Sequence, residues 1–271
     1  MLRSRVLRRC NQPIKIRVMN YRKPKNLLTT NNTKTVKGEK YGWKTFILYM
    51  SPFNQNAKGV NICPQATAGC AEACLFGSGF GGMFNSVELA RINKTNYFLA
   101  NRKNFLMQLY TEITAIVKKY ENKEEKVCIR LNGTSDLSWE KFKVMDGKSL
   151  MELFPDVIFY DYTKNYLRFN KILPSNYFLT FSRSENNEDK VSELLARGFN
   201  VAVVFDELPE TYNGYKVING DENDLRFEDP KNVVVGLKYK KMTGRGANNQ
   251  KAFESGFALR KNKINELREV A

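Results

Sequence analysis

Histidine is absent from this chain of 271 residues. Its absence excludes His-dependent catalytic triads and histidine general bases. It also removes the usual companion of cysteine in structural zinc sites. No apolar run approaches the length needed to cross a bilayer, so no membrane partner is expected. No apolar core of a signal peptide is present either, so secretion is not expected. Neither a P-loop nor a Gly-x-Gly-x-x-Gly fingerprint occurs, and Thr243-Gly244-Arg245-Gly246 is only a weak likeness of a phosphate-grasping turn. Acids are scarce: 28 Asp and Glu stand against 44 Lys and Arg, a formal charge of +16. The shortage is most pronounced in residues 1–40, where Glu39 is the one acid among twelve basic residues. Such an excess suits a polyanion partner, and the basic N-terminal arm, residues 1–42, is a candidate nucleic-acid contact; the competing reading is a solvated basic tail.

Five cysteines are an odd number without a regular disulfide framework, which points to a reducing compartment. Three of them, Cys63, Cys70 and Cys74, fall within Asn61 to Gly77 in a Cys-x6-Cys-x3-Cys pattern. Pro64, Gly69 and Gly77 let the backbone bend around a guest. Cys70 and Cys74 share one face if Ala68 to Phe76 makes a helical turn. A mononuclear zinc site usually closes with four protein ligands. A [4Fe–4S] cluster held by three thiolates leaves one iron open to a substrate, a cofactor or a fourth ligand. That asymmetry favours iron–sulfur over zinc. A zinc reading needs Cys128, Cys10 or a carboxylate as its fourth ligand. Disulfide formation or plain core packing is the competing reading of the cysteines.

The hydrophobic content of 42% describes a globular chain with ample core. Ile14 to Met19 alternates like a half-buried strand, and Trp43 to Met50 is the strand that feeds the cysteine loop. Gly77 to Gly82 is a glycine stretch, read either as a turn or as a loop that approaches a cofactor. Asn85 to Tyr120 reads as helix with a break near Asn101 to Asn104, and Phe105, Leu109, Ile113, Ile116 and Val117 carry a core stripe. Strand-like runs then recur at 127–131, 157–162, 177–181, 201–205, 215–218 and 233–239. Helix-like segments at 147–154, 166–172 and 187–197 separate them, and 251–270 reads as a final amphipathic helix. This alternation predicts an α/β fold with a mainly parallel sheet, as a partial or full (β/α) TIM-like barrel in a single domain over residues 43–271.

In such folds functional groups gather at the carboxyl ends of the strands. Those ends are polar here. Arg130 and Asn132 follow one strand, Ser182 another, and Lys238 interrupts the last. Arg130 within an apolar strand needs either an acid or an anionic ligand. Arg130, Asn132, Ser182 and Lys238 are the candidate cofactor-binding residues; no catalytic residue is assigned.

A strand, a three-cysteine loop, a helix and repeated strand–helix units resemble the radical S-adenosylmethionine superfamily. That resemblance implies a [4Fe–4S] cluster on Cys63, Cys70 and Cys74 and S-adenosylmethionine as a second cofactor. The family's motif is Cys-x3-Cys-x2-Cys with an aromatic before the last cysteine, and here Ala73 holds that place. The cysteine loop, Asn219-Gly220-Asp221, Asp224-Leu225-Arg226-Phe227, Asp229-Pro230 and Val235-Gly236-Leu237-Lys238 are also similar to a widespread family of bacteriophage three-cysteine proteins, over most of the chain beyond residue 40. That likeness implies a viral protein with an iron–sulfur site in the cytoplasm of the infected bacterial host, and it supplies no settled activity. The expected function is therefore a viral [4Fe–4S] protein on a TIM-like barrel, with a small-molecule ligand at the open iron and radical redox chemistry as the enzyme reading. The alternative is a nucleic-acid-binding protein with a structural iron–sulfur or zinc site.

Overall fold

The computed structural model describes residues 21–32, 35–74, 84–241 and 249–264. The Ile14 to Met19 strand, the Gly77 to Gly82 stretch, Cys10 and Thr243 to Gly246 lie outside the described residues. The expected strands form as β2 (Trp43–Leu48), β3 (Lys126–Arg130), β4 (Ile158–Thr163), β5 (Tyr177–Ser182), β6 (Val201–Phe205), β8 (Tyr215–Asn219) and β9 (Val234–Lys238). Three two-residue strands join them: β1 (Leu28–Thr29), β7 (Thr211–Tyr212) and β10 (Ala258–Leu259). The run Val201 to Phe205 is apolar throughout because parallel strands are covered on both faces.

Helices follow the sequence more closely where their apolar stripe is long. The cysteine loop holds α1 (Ala68–Glu72), and α2 (Asn85–Ala100) is followed by α3 (Arg102–Tyr120). The break falls at Asn101, whose side chain accepts a hydrogen bond from the Asn104 amide at 3.2 Å and caps α3. Phe105, Leu106, Leu109 and Ile113 of α3 pack with Tyr97 and Phe98 against Leu48 and Ile129 of the sheet. Each such burial contributes about 1.5–3 kcal/mol. A second core lies under α5 (Glu188–Ala196), where Val191, Leu194 and Leu195 meet Val201, Val203 and Phe205. Gly198, in the left-handed region at φ 85°, turns the chain out of α5.

Three helix expectations are corrected. Residues 147–154 yield only α4 (Leu150–Leu153), set by a Ser149–Glu152 capping box. Tyr166–Asn170 is a 3-10 turn, with Asn165 capping Leu167. Among the described residues, the C-terminal segment has one short α-helix, α6 (Lys251–Glu254), and a 3-10 turn at Lys261–Lys263; Gly256, at φ 80°, turns the chain from α6 into β10. Residues 265–271 lie outside the described residues. Among the described residues, no helix is long and apolar enough to cross a membrane.

The sheet has ten strands in the order β1-β2-β3-β4-β5-β6-β9-β8-β7, with β10 beside β6. From β2 through β8 all neighbours are parallel. The run from β2 to β6 follows chain order, as a barrel's would. Of the expected partial or full TIM-like barrel, the mainly parallel sheet is present, but among the described residues it does not close into a ring. Strand β9 enters between β6 and β8, and both outer edges are occupied by antiparallel partners, β1 on β2 and β7 on β8. Those partners cover only Ile47 and Leu48 of β2 and Tyr215 and Lys216 of β8, and among the described residues no strand pairing joins β2 to β8.

Side chains bridge the gap instead. Residues 220–229, leaving β8, reach across to the β2 side. Leu225 packs with Cys128 and Tyr160, Phe227 meets Trp43 edge-on at 4.7 Å, and the Trp43 indole donates to Glu228 at 3.1 Å. Tyr41 donates to Glu222 at 2.6 Å. This segment thus packs on residues of β2, β3 and β4. Residues 21–32 and 35–42 belong to the same body: Leu27 and Leu28 are buried, Tyr21 stacks on Tyr97, and β1 pairs with β2.

Gly133, just past β3, shows how tight the junction is. A Cβ there would lie 2.7 Å from the Leu48 carbonyl oxygen, from Ile47 and from Tyr49. A backbone oxygen has little room to yield, so Gly133→Ala is expected to cost about 1–3 kcal/mol and lower the thermal midpoint by several degrees. An unchanged midpoint in a calorimetric scan would show that the junction is loose.

Candidate functional site

Strand β2 delivers the chain to the cysteine loop. Cys63 is buried; its amide donates to Asn61 at 2.8 Å, and its thiol points to the Thr134 carbonyl at 3.7 Å. Thr67 caps α1: its hydroxyl oxygen accepts from the Cys70 amide at 3.2 Å. The same hydroxyl donates to Glu185 at 2.7 Å, and the Gly69 amide donates to the other Glu185 oxygen, also at 2.7 Å. A Cβ on Gly69 would sit 2.5 Å from Ser255 Oγ and 2.8 Å from Glu185. So the helix carrying Cys70 is docked from two sides, by the loop after β5 and by the segment between α6 and β10. Ala73, Ala252, Phe257 and Ala258 form the apolar seal of that joint, with Cys70 against it.

Cys63, Cys70 and Cys74 all line one cavity of about 240 Å³. That volume is many times the roughly 10–15 Å³ that admits one water. The cavity lies over the carboxyl ends of the parallel strands. Arg130, Asn132, Ser182 and Lys238 line it too, so every site residue read from the sequence faces the same space.

Their individual roles differ from the expectation. Asn132 has its polar atoms committed. Its Oδ1 accepts from Ser135 Oγ, the Leu137 amide and the Trp139 indole at 2.8–3.0 Å, while its Nδ2 donates to the Leu137 carbonyl and Asp161. Asn132 therefore holds the turn after β3 rather than a ligand. Arg130 is ion-paired with buried Asp224 at 2.9 Å and lies over the Tyr162 ring. Burial is the largest single influence and opposes its charge, but Asp224, Tyr162, Tyr160 and Asp161 together outweigh it and leave its pKa raised. Of the two readings of Arg130, the acid partner is present. Ser182 Oγ accepts from Lys164 Nζ at 3.0 Å, and the Lys238 side chain is exposed at the rim.

Lys164 is the group the sequence did not single out. It lines the cavity next to the thiols. Burial works against its ammonium, yet Cys70, Asp136 and Cys63 around it push its pKa up. Asp136 is fixed by Thr163 Oγ1 at 2.7 Å and the Lys164 amide at 2.9 Å. Burial pushes the Cys63 thiol to about 12, so without a metal it stays protonated; ligation deprotonates a coordinating thiol. Position at a strand end was the available signal for Lys164. Glu185, more than a hundred residues from the loop it clamps, left no local signal.

No disulfide joins the described cysteines. Cys128 is no fourth ligand. It is fully buried beside Thr45 at 3.3 Å and packs on Tyr160 and Leu225, apart from the cavity wall. Among the described residues, no three His, Cys, Asp or Glu side chains form a group that could hold a metal ion.

No curated protein and no solved structure matches the chain. A family model described as Gene product 88 matches residues 26–261, from the segment before β1 to just past β10. That description, a numbered gene product, suits the bacteriophage likeness of the sequence. With most of its length matched, the chain belongs to the Gene product 88 family.

Proposed function

We propose that this chain is a bacteriophage [4Fe–4S] protein of the infected host's cytoplasm, with Cys63, Cys70 and Cys74 as ligands and one iron facing the cavity. The observation that carries the reading is the convergence of those three thiols, one loop's worth, on the wall of a single cavity over the strand ends. The surroundings fit a thiolate-bound cluster. The thiols come from a loop and a short helix, and the helix that carries Cys70 is docked on both sides. Cations stand beside them: Arg91 feels the charge of Cys74, and Lys164 that of Cys70 and Cys63. They offset the negative charge that thiolate ligation brings. The space beyond the thiols admits a ligand.

When bound, such a cluster supplies single electrons at a potential set by its surroundings. The chain's own residues do the rest. Lys164 and Ser182 present a charge-assisted pair at the deep end, where a carboxylate or carbonyl of a ligand would sit. Asn132 and the Arg130–Asp224 pair keep the wall in shape. Lys238 supplies charge at the rim. S-adenosylmethionine is the first ligand to test at the open iron, although the cysteine spacing departs from the Cys-x3-Cys-x2-Cys of that superfamily.

The test is anaerobic purification with iron and sulfide analysis and a visible spectrum. The expected protein is brown, with about four irons and four sulfides and absorbance that bleaches on reduction. A colourless protein after reconstitution with iron and sulfide would overturn the proposal.

A further inference from the structure

The cavity has two ends of different character. At the deep end stand the thiols and Lys164. At the other end, the residues leaving β8 and β9 build a basic rim around Asp221. Lys240 pairs with the Asp221 carboxylate at 2.9 Å, the Lys238 amide donates to its other oxygen at 2.8 Å, and Lys37 donates to its carbonyl. Lys37, Lys238 and Lys240 all line the cavity, and their side chains are exposed at its mouth.

The charges can be balanced. Five cations line the cavity, Lys37, Arg130, Lys164, Lys238 and Lys240, against three carboxylates, Asp136, Asp221 and Asp224. Asp224 is taken by Arg130, and Asp136 is taken by Thr163 and the Lys164 amide. Of the three rim lysines, Lys240 alone sets its ammonium against the Asp221 carboxylate; Lys37 meets the Asp221 carbonyl and Lys238 gives its backbone amide, which leaves the rim with a surplus of two positive charges. A phosphate monoester carries close to that charge with the opposite sign at neutral pH. Part of the wall is apolar, made by Val204, Leu237, Tyr239 and Phe257, with Val204, Tyr239 and Phe257 clustered beside Cys70. A ligand that meets both surfaces has a dianionic head and an apolar or aromatic body.

We propose that the cavity binds a phosphorylated small molecule, with its phosphate held at the rim by Lys37, Lys238 and Lys240 and its apolar or planar body against Val204, Leu237, Tyr239 and Phe257. This names the substrate class of the site and rests on the preceding proposal only in taking this cavity as the working one; the rim itself needs no cluster. Lys238→Ala removes an exposed side chain at the mouth, and Lys37→Ala a second, so neither variant threatens the core.

Isothermal titration of the full-length reconstituted protein, with iron counted in the same sample, tests the inference. The probes are nucleoside 5′-monophosphates, a hexose phosphate, inorganic phosphate, and the nucleosides and hexose without phosphate. At least one phosphorylated probe is expected to bind, its dephosphorylated form at least about tenfold more weakly, and Lys37→Ala and Lys238→Ala each to weaken it by about tenfold. Preference among the phosphorylated probes identifies the body. If none of them binds, or if binding ignores both lysine substitutions, the inference is overturned, and an iron-loaded sample that does so leaves the cluster proposal standing. A sample without iron that still binds in a lysine-dependent way separates the two in the other direction.

Discussion

Cys70→Ser is expected to reduce bound iron from about four per chain to a small remainder, with loss of the visible absorbance. Cys63→Ser and Cys74→Ser are expected to do the same, whereas Cys128→Ser leaves iron unchanged. The contrast is the point of the experiment. Cys128 is as much a cysteine as the others, but it packs on Tyr160 and Leu225, away from the cavity. Serine oxygen is a harder and more basic ligand than thiolate sulfur, so it holds iron of a cluster poorly. Cys70 gives the cleanest readout because its helix is fixed independently of its side chain. Thr67 and the Gly69 amide are bound to Glu185, so the backbone stays in place when the sulfur is removed. Iron retained by all three variants would remove the cysteine loop from the account. Iron lost from Cys128→Ser as well would show that the measurement reports unfolding.

Asp224→Ala is expected to produce the largest loss of stability, about 3–5 kcal/mol, and a drop in thermal midpoint of about 10 °C. Arg130 is 5% exposed and Asp224 7%, and the substitution leaves the guanidinium buried without its counter-charge. The Tyr160 hydroxyl, which donates to Asp224 at 3.2 Å, loses its acceptor as well. The residue also ties the segment after β8 to β3, across the gap that strand pairing leaves open. Removing both charges together, as Arg130→Met with Asp224→Leu, is expected to recover most of the loss, because the desolvation cost disappears along with the attraction. A single variant within about 1 kcal/mol of the parent, by denaturant titration, would mean that water reaches the pair and that the gap is held by the apolar contacts of Leu225 and Phe227 alone.

The regular elements were readable because each rests on local chemistry. Short β-branched runs such as Val201 to Phe205 mark buried parallel strands, and the Phe105, Leu109, Ile113 stripe marks α3. The cavity was readable for a related reason. Strand order follows chain order through β6, so polar groups at successive strand ends arrive side by side with the cysteine loop. The open ring was not readable, because which strands pair at long range is not written in any local run. Nothing in Leu28–Thr29 or Thr211–Tyr212 announces that two residues will cap an edge. The insertion of β9 between β6 and β8 is likewise a tertiary choice. Roles within the site were the least legible. Asn132 and Lys164 are both polar residues at strand ends. Only packing shows that Asn132 has its hydrogen bonds taken by Leu137, Trp139 and Asp161, while Lys164 remains beside the thiols.

The central claim is a cluster with three thiolate ligands and one iron turned to the cavity. Mössbauer spectroscopy of protein reconstituted with isotopically enriched iron tests it most directly. The account expects irons in a ratio of about three to one, with the minority site responding to added small-molecule ligand. Four equivalent sites, or no protein-bound iron after reconstitution, would contradict it.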